Sequence, residues 1–404
     1  MTSETPTVYA ATPADVRGAV LEARRRGLRV AVRATGHGTI AEPSPDTLLI
    51  DTSGMRSVLV DPDRRTARVG PGTTWGDVIE AAAPFGLAPV SGTDATVGVT
   101  GFTFGGGHGF LSRRYGLAAD NLLRADVVTA DGETLTARED RRSELFWALR
   151  GAGGGQFGVV TSLRFDTVPE PMTTRIEARW SGIALEDLVS AWQAWAPDAP
   201  DELTINLSLV SEPGVPVQAT LFGASMLDQA TTRESMQQFI DRAGATATID
   251  MRAGLPYSQL KSTFGDPLDE PERLTRLRSE FFSTTMADGT IASLLTQFSR
   301  TTGRRELALT AMGGAYNRIV DNATAFAHRS TRFLLEHIAD ADDPWVDESW
   351  ATAHADGSGR VYPNFPDSAL DDWASAYHAD NYPRLAAVRR TYDPHRFFDF
   401  PQAI

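Results

Sequence analysis

Two glycine fingerprints in this chain stand in the wrong topological order for a doubly wound nucleotide-binding sheet, and that order is its strongest constraint on fold. The first, Gly36-x-Gly38-x-x-Ala41, follows the strand-like run 28–32 and ought to open a helix. Pro43 and Pro45 instead stand where the first helical turns would lie, and a second strand-like run, 48–50, follows at once. The second, Gly153-x-Gly155-x-x-Gly158, comes after a helical segment, 143–150 with Gly151 as its stop, and runs into the β-branched strand 159–163. Such an arrangement predicts a different fold, in which backbone amides hold a nucleotide without the Rossmann helix. The turn from Arg33 to Gly38 also offers one imidazole, His37, from between two glycines.

With 404 residues and 42% hydrophobic content, the chain can bury a large core, and its length suggests two domains. A formal charge of -14 and a single lysine, Lys261, leave no basic run for nucleic acid or an anionic membrane. No apolar stretch approaches the ~20 residues of a membrane span. The first residues lack the basic and apolar regions of a signal peptide, so a cytoplasmic location is expected. The absence of cysteine excludes disulfides, thiolate metal sites and cysteine nucleophiles. None of the seven histidines pairs with another at a metal-binding spacing near an acid, so no metal is expected.

Thr12-Pro13-Ala14-Asp15 reads as a helix start, and Val16, Ala19, Val20 and Ala23 recur at helical spacing up to Gly27. Short strands are expected near 48–51, 57–60 and 66–69, and Thr74-Trp75-Gly76-Asp77 reads as a capping box for a helix ending near Gly86. After Pro169-Glu170-Pro171 the pattern changes. Leu185, Leu188, Val189 and Trp192 mark an amphipathic helix, and residues 203–209 alternate strictly between apolar and polar, a strand with one dry face. Further strands are expected at 217–222, 279–284 and 307–315, giving an antiparallel sheet with helices on its apolar face. The polar face carrying Thr204, Asn206 and Ser208 is either solvated or the floor of a substrate pocket. The fold class is α+β.

Residues 92–109 are too glycine-dense for a core and too ordered in apolar spacing for a linker. Together with the His37 turn, residues 111–122, and Gly153 to Thr161, they resemble the berberine bridge enzyme-like family of FAD-linked oxidoreductases, within the vanillyl-alcohol oxidase (PCMH-type) superfamily. Gly313-Gly314-Ala315-Tyr316-Asn317-Arg318, residues 321–329, Tyr362-Pro363-Asn364-Phe365, residues 381–385 and the stretch from Tyr392 to Ile404 are similar to its bacterial branch in order and spacing. The resemblance spans nearly the whole chain. It implies a PCMH-type FAD-binding domain built from both chain ends, residues 1–171 with a returning C-terminal segment 361–404. Between them, residues 172–360 are expected to form an inserted substrate-binding domain.

The same resemblance implies that His37 bonds covalently to the flavin. Asp94 stands where many relatives carry a second, cysteine tether, so attachment through His37 only is expected. Asp94 itself is either a local hydrogen-bond acceptor or an acid of the pocket. The amides of Ala34, Thr35, Gly36 and Gly38, following Arg33, are expected at the pyrophosphate. Gly98, Gly101, Gly105, Gly106 and Gly107 are expected along the ribityl chain and ring. Gly92, Thr96, Val97, Gly109 and Asn121, in the flanking motifs, are also expected to bind the cofactor, Gly158 and Val160 are placed near the adenine or ring edge, and Asn364 beside the flavin. Tyr362 is either the base that takes a substrate proton or a ring stacked on the cofactor. Tyr316, read as part of a strand, is expected to face the pocket with Thr310 and Met312, and His108 to present its ring there.

The leading function is an FAD-dependent oxidoreductase that takes a hydride from a small organic substrate and passes the electrons to dioxygen. The aromatic residues Trp192, Trp195, Phe281 and Phe282 lean toward a hydrophobic secondary metabolite. The alternatives are a redox-neutral flavoprotein that catalyses cyclisation or elimination and a non-catalytic metabolite binder. A monomer or homodimer is expected.

Overall fold

The computed structural model describes residues 5–38, 46–180, 183–244, 247–264 and 275–404. Ala41, Pro43 and Pro45, on which the rejection of the first fingerprint turned, lie outside the described residues.

Strands β1 (Thr7–Tyr9), β2 (Arg29–Arg33) and β3 (Thr47–Asp51) form a parallel sheet in the order β1-β3-β2. The helix Pro13–Arg26 crosses between its first two strands. Thr12 caps it by accepting from the Asp15 amide, Asp15 reaches back to the Thr12 amide, and Gly27 ends it in the left-handed conformation. Next come β4 (Val58–Asp61), β5 (Thr66–Val69), β6 (Leu87–Ala88), β7 (Leu122–Val128), β8 (Thr134–Ala137), β9 (Val159–Asp166) and β10 (Val168–Pro169). Five of these form an antiparallel sheet, β4-β5-β9-β7-β8, while β6 pairs with β10. The expected capping box starts the helix Trp75–Ala82.

The C-terminal segment closes this half of the molecule. Leu385, Val388 and Ile404 join Val127, Leu163 and Trp75 in one core, and Phe398 joins Val16, Val30 and Ile50 in another. The Ile404 amide donates to Gln156 Oε1 at 3.1 Å, which ties the chain end to the second glycine fingerprint.

The remaining strands, β11 (Met172–Trp180), β12 (Leu203–Glu212), β13 (Val215–Ser225), β14 (Thr248–Pro256), β15 (Thr275–Phe282), β16 (Arg305–Ala311) and β17 (Phe333–Asp340), form a seven-stranded antiparallel sheet. Its order is β14-β11-β13-β12-β16-β17-β15. Ile205, Leu207, Leu209, Leu307, Leu309, Phe333 and Leu335 face the helices Leu185–Trp195, Gln229–Ala243, Asp288–Ser299 and Trp345–His354 in one core. The strict alternation of β12 therefore reads the dry face correctly.

Two expectations are corrected. The strand expected over 307–315 stops at Ala311, because Gly313 and Gly314 adopt φ of 99° and 72°, which a strand does not contain. Tyr316 then sits in the short 3-10 helix Gly314–Arg318. Secondly, Trp192, Trp195 and Phe282 pack in or against the helix-covered core, not in a pocket, and the Trp192 indole donates to the Ile205 carbonyl at 3.2 Å. Of the four aromatics read as pocket signals, only Phe281 lies on the other side of the sheet, in a cluster with Tyr362, Tyr316 and Leu334.

Candidate active site

The first half of the site is made of backbone. Among the described residues, the amides of Ala34, Thr35, Gly36, His37 and Gly38 have no hydrogen-bond acceptor, so five consecutive donors are left for solvent or an anion. A Cβ added at Gly36, Gly38, Gly101, Gly153 or Gly154 would meet nothing within 4 Å. These open positions belong to one surface. Thr35 packs against Gly98, which precedes the helix Val99–Phe104, and the Gly153 amide donates to the Phe104 carbonyl at 2.8 Å. That short helix was not legible in the glycine-rich sequence.

His37 is exposed at this surface, and its Nε2 lies 3.1 Å from Thr96 Oγ1. The Thr96 hydroxyl and amide both reach Asp94 Oδ1, at 2.8 and 2.7 Å. Asp94 is thus a local hydrogen-bond acceptor. Arg33 points its guanidinium at Asp51, 2.7 Å away, which fixes the end of β2 against β3. A run of unpaired amides, open glycines and a solvent-facing imidazole fits a dinucleotide whose phosphates need donors and whose ring needs close backbone approach.

Other expected cofactor residues have packing reasons of their own. A Cβ at Gly105 would collide with the Asn364 amide, and one at Gly107 with the Phe102 ring. Gly92, Gly106, Gly109 and Gly158 are likewise crowded, by Phe102, Phe326, the Ser91 carbonyl and Val127 respectively. Val160 is buried in the core, with Val97 packed partly against it. The Asn121 amide is spent on the carbonyls of Tyr115 and Leu117, at 3.0 and 2.8 Å.

Side chains make the second half. A cavity is lined by Thr93, His108, Ser112 and Arg113 on one side and by Thr204, Asn206, Thr310, Met312 and Tyr316 on the other. Thr204, Asn206 and Thr310 of the polar face therefore form its floor, while Ser208 lies outside the lining and donates to Glu306 Oε1 at 2.8 Å. Burial pushes the His108 imidazole down to about 4, so the ring is neutral at neutral pH, and it lies 5.0 Å from the Tyr362 ring. The Arg113 guanidinium is buried against the carbonyls of Pro197, Ala199 and Met312. Tyr316 contributes its ring, while its hydroxyl is bound to Thr331 Oγ1 at 2.7 Å.

Tyr362 joins the two halves. Its phenol oxygen accepts from the Gly107 amide at 3.1 Å and from the Asn364 amide at 2.9 Å, and Asn364 also donates to the Phe102 carbonyl at the end of the short helix. Burial pushes the phenol up to about 12, so at neutral pH it keeps its proton.

Sequence reasoning missed Glu336. It lies on β17, opposite Ser279 of β15 and Ala308 of β16, on the polar face of the sheet. Burial, with the charge of Glu306 added, raises its carboxyl to about 8, and its field reaches the Tyr362 phenol. A lone acid inside the apolar run Phe333-Leu334-Leu335-Glu336 was the signal available.

Residues 6–138 match the family described as FAD binding domain, and residues 361–404 the family described as berberine and berberine like. The "Uncharacterized FAD-linked oxidoreductase YgaK" of Bacillus subtilis is 29% identical, over 88% of this chain and 81% of that protein. Among solved structures, a chitooligosaccharide oxidase superposes with a TM-score of 0.89 at 23% identity, covering 99% of this chain and 92% of the other. The berberine bridge enzyme of Eschscholzia californica superposes with a TM-score of 0.88 at 23% identity, covering 99% and 90%. The open backbone surface thus falls in the stretch matched as FAD binding, the segment carrying Tyr362 and Asn364 falls in the berberine-like stretch, and the chain is similar along nearly its whole length to berberine bridge enzyme-like, FAD-linked oxidoreductases.

Proposed function

We propose that this protein is an FAD-dependent oxidase that removes a hydride from a hydroxyl-bearing small molecule seated on the polar face of the seven-stranded sheet. Residues 1–171 and 361–404 hold the cofactor, attached through His37 only, and residues 172–360 supply the pocket floor. FAD supplies the two-electron acceptor and returns the electrons to dioxygen. Glu336 takes the substrate's hydroxyl proton onto its carboxylate, a task suited to a group poised near the working pH. Tyr362, protonated and held by Gly107 and Asn364, orients the substrate oxygen. The neutral ring of His108 and the polar groups of Thr204, Asn206 and Thr310 line its binding space.

The observation that carries this reading is Glu336 on the polar face of the sheet, since a half-buried acid raised to about 8 without a cationic partner is costly unless it serves a reaction. The polar lining favours a hydroxyl-bearing substrate over the apolar one suggested by the aromatic count. The test is stoichiometric. With a panel of sugars and benzylic alcohols as substrates, oxidised product and hydrogen peroxide should appear in equal amounts; product without peroxide or flavin reduction would support the redox-neutral alternative instead.

A further inference from the structure

Asp94 occupies the position of the missing second tether, and its contacts give it another task. The Thr96 hydroxyl has one proton, and it is directed to Asp94 Oδ1 at 2.8 Å. In its contact with His37 the same oxygen therefore acts as acceptor, and His37 Nε2 is the donor, at 3.1 Å. The imidazole proton is thereby assigned to Nε2, and the lone pair of the neutral ring to Nδ1. Behind Asp94 stands Lys261, the only lysine of the chain. It is buried, it donates to Ser91 Oγ at 3.1 Å, and Ser91 in turn meets the Tyr257 hydroxyl at 2.9 Å. Burial pushes the lysine down to about 7, and the negative charge of Asp94 works in the opposite direction.

We propose that Asp94 and Thr96 are positioning residues for flavin attachment: they hold His37 as the Nε2–H tautomer and leave Nδ1 as the atom that bonds the cofactor. This rests on the tether assigned to His37 above. In that step Nδ1 forms a bond to the ring methyl carbon of the flavin and one methyl C–H bond breaks. The methyl proton and the Nε2 proton leave, the latter along the hydrogen bond toward Thr96 and Asp94. The two C–H electrons stay on the flavin until dioxygen removes them as hydrogen peroxide. As Nδ1 is alkylated the ring gains positive charge, and the Asp94 carboxylate stabilises it through Thr96, as an orienting acid does for a catalytic histidine.

The test uses the full-length holoenzyme, a time course of acid-stable flavin, and proton NMR of the flavin peptide released by proteolysis, which identifies the attached ring nitrogen. The wild type should carry its flavin on Nδ1. Thr96→Val should slow attachment by about tenfold or more, the scale on which an outer hydrogen-bond partner acts, and should yield attachment at both ring nitrogens. Thr96→Ser, which keeps the hydroxyl, should attach at Nδ1 at a rate near wild type, and Asp94→Asn, which keeps the acceptor oxygen but not the charge, should attach at Nδ1 alone but more slowly. A wild type attached at Nε2, or a Thr96→Val protein that attaches at the normal rate through Nδ1 alone, overturns the positioning role while leaving the tether intact. Free FAD from the acid-treated wild type overturns both.

Discussion

The two faces of the seven-stranded sheet are built from the same strands, and they teach different things about the chain. One face is dry: Leu207, Leu309 and Leu335 meet four helices, and Trp192 is fully buried there. The other carries Asn206 and Thr310 into the cavity beside the half of the molecule that matches a FAD-binding family, and Glu336 within electrostatic reach of Tyr362. The dry face determines whether the sheet folds, because burying large side chains is the dominant favourable term. The polar face contributes little to folding, and in Glu336 it opposes it. Polar and acidic groups on a floor that could have been apolar point to a function, and that contrast can be broken experimentally.

The largest expected effect is on the polar face. Glu336→Gln keeps the shape but cannot take a proton, so turnover should fall by about 10²–10⁴-fold while flavin content stays near wild type and the melting temperature at neutral pH stays the same or rises. The wild-type kcat/KM should rise with pH and level off above about 8, as the carboxyl ionises, and this rise should vanish in the variant. Unchanged turnover in Glu336→Gln would remove the acid from the mechanism. On the dry face the reverse is expected: Trp192→Ala should cost about 3–5 kcal/mol of stability, measured by denaturant unfolding, with little change in KM for the protein that remains folded.

A smaller effect concerns acid. His108 and His378 are pushed down to about 4, and His328 and His337 to about 3, all by burial. The unfolded chain takes up protons near the ordinary histidine value of about 6.5 and the folded one does not. Stability held at neutral pH is therefore lost progressively as pH falls from about 6.5 toward 3. Thermal melts across that range should show it, and a melting temperature independent of pH would contradict these environments. The smallest effect is Tyr362→Phe. If the phenol only orients the substrate, turnover should fall by roughly tenfold, against the larger loss expected of a base.

Much of this was written locally in the sequence. The helix start at Thr12, the capping box at Thr74 and the alternation along β12 each need only a few neighbouring residues, and each formed as expected. What stayed hidden depends on long-range placement. Glu336 becomes a site residue only because β17 lies between β15 and β16. Thr96 becomes a partner of His37 only across 59 positions of chain. The tryptophans were ambiguous because an aromatic residue serves a core and a pocket equally well until the helix face is known. Tyr316 was misassigned to a strand because a glycine pair is compatible with a strand in sequence and breaks it only through its positive φ angles.

In the function proposed above, the polar face of the sheet and the open backbone surface around His37 serve one oxidation. Anaerobic mixing of the holoenzyme with an oxidisable substrate tests it most directly. The yellow of the flavin should bleach in the wild type, recover on admitting air with release of hydrogen peroxide, and bleach far more slowly in Glu336→Gln. Substrate conversion with the flavin remaining yellow throughout would contradict it.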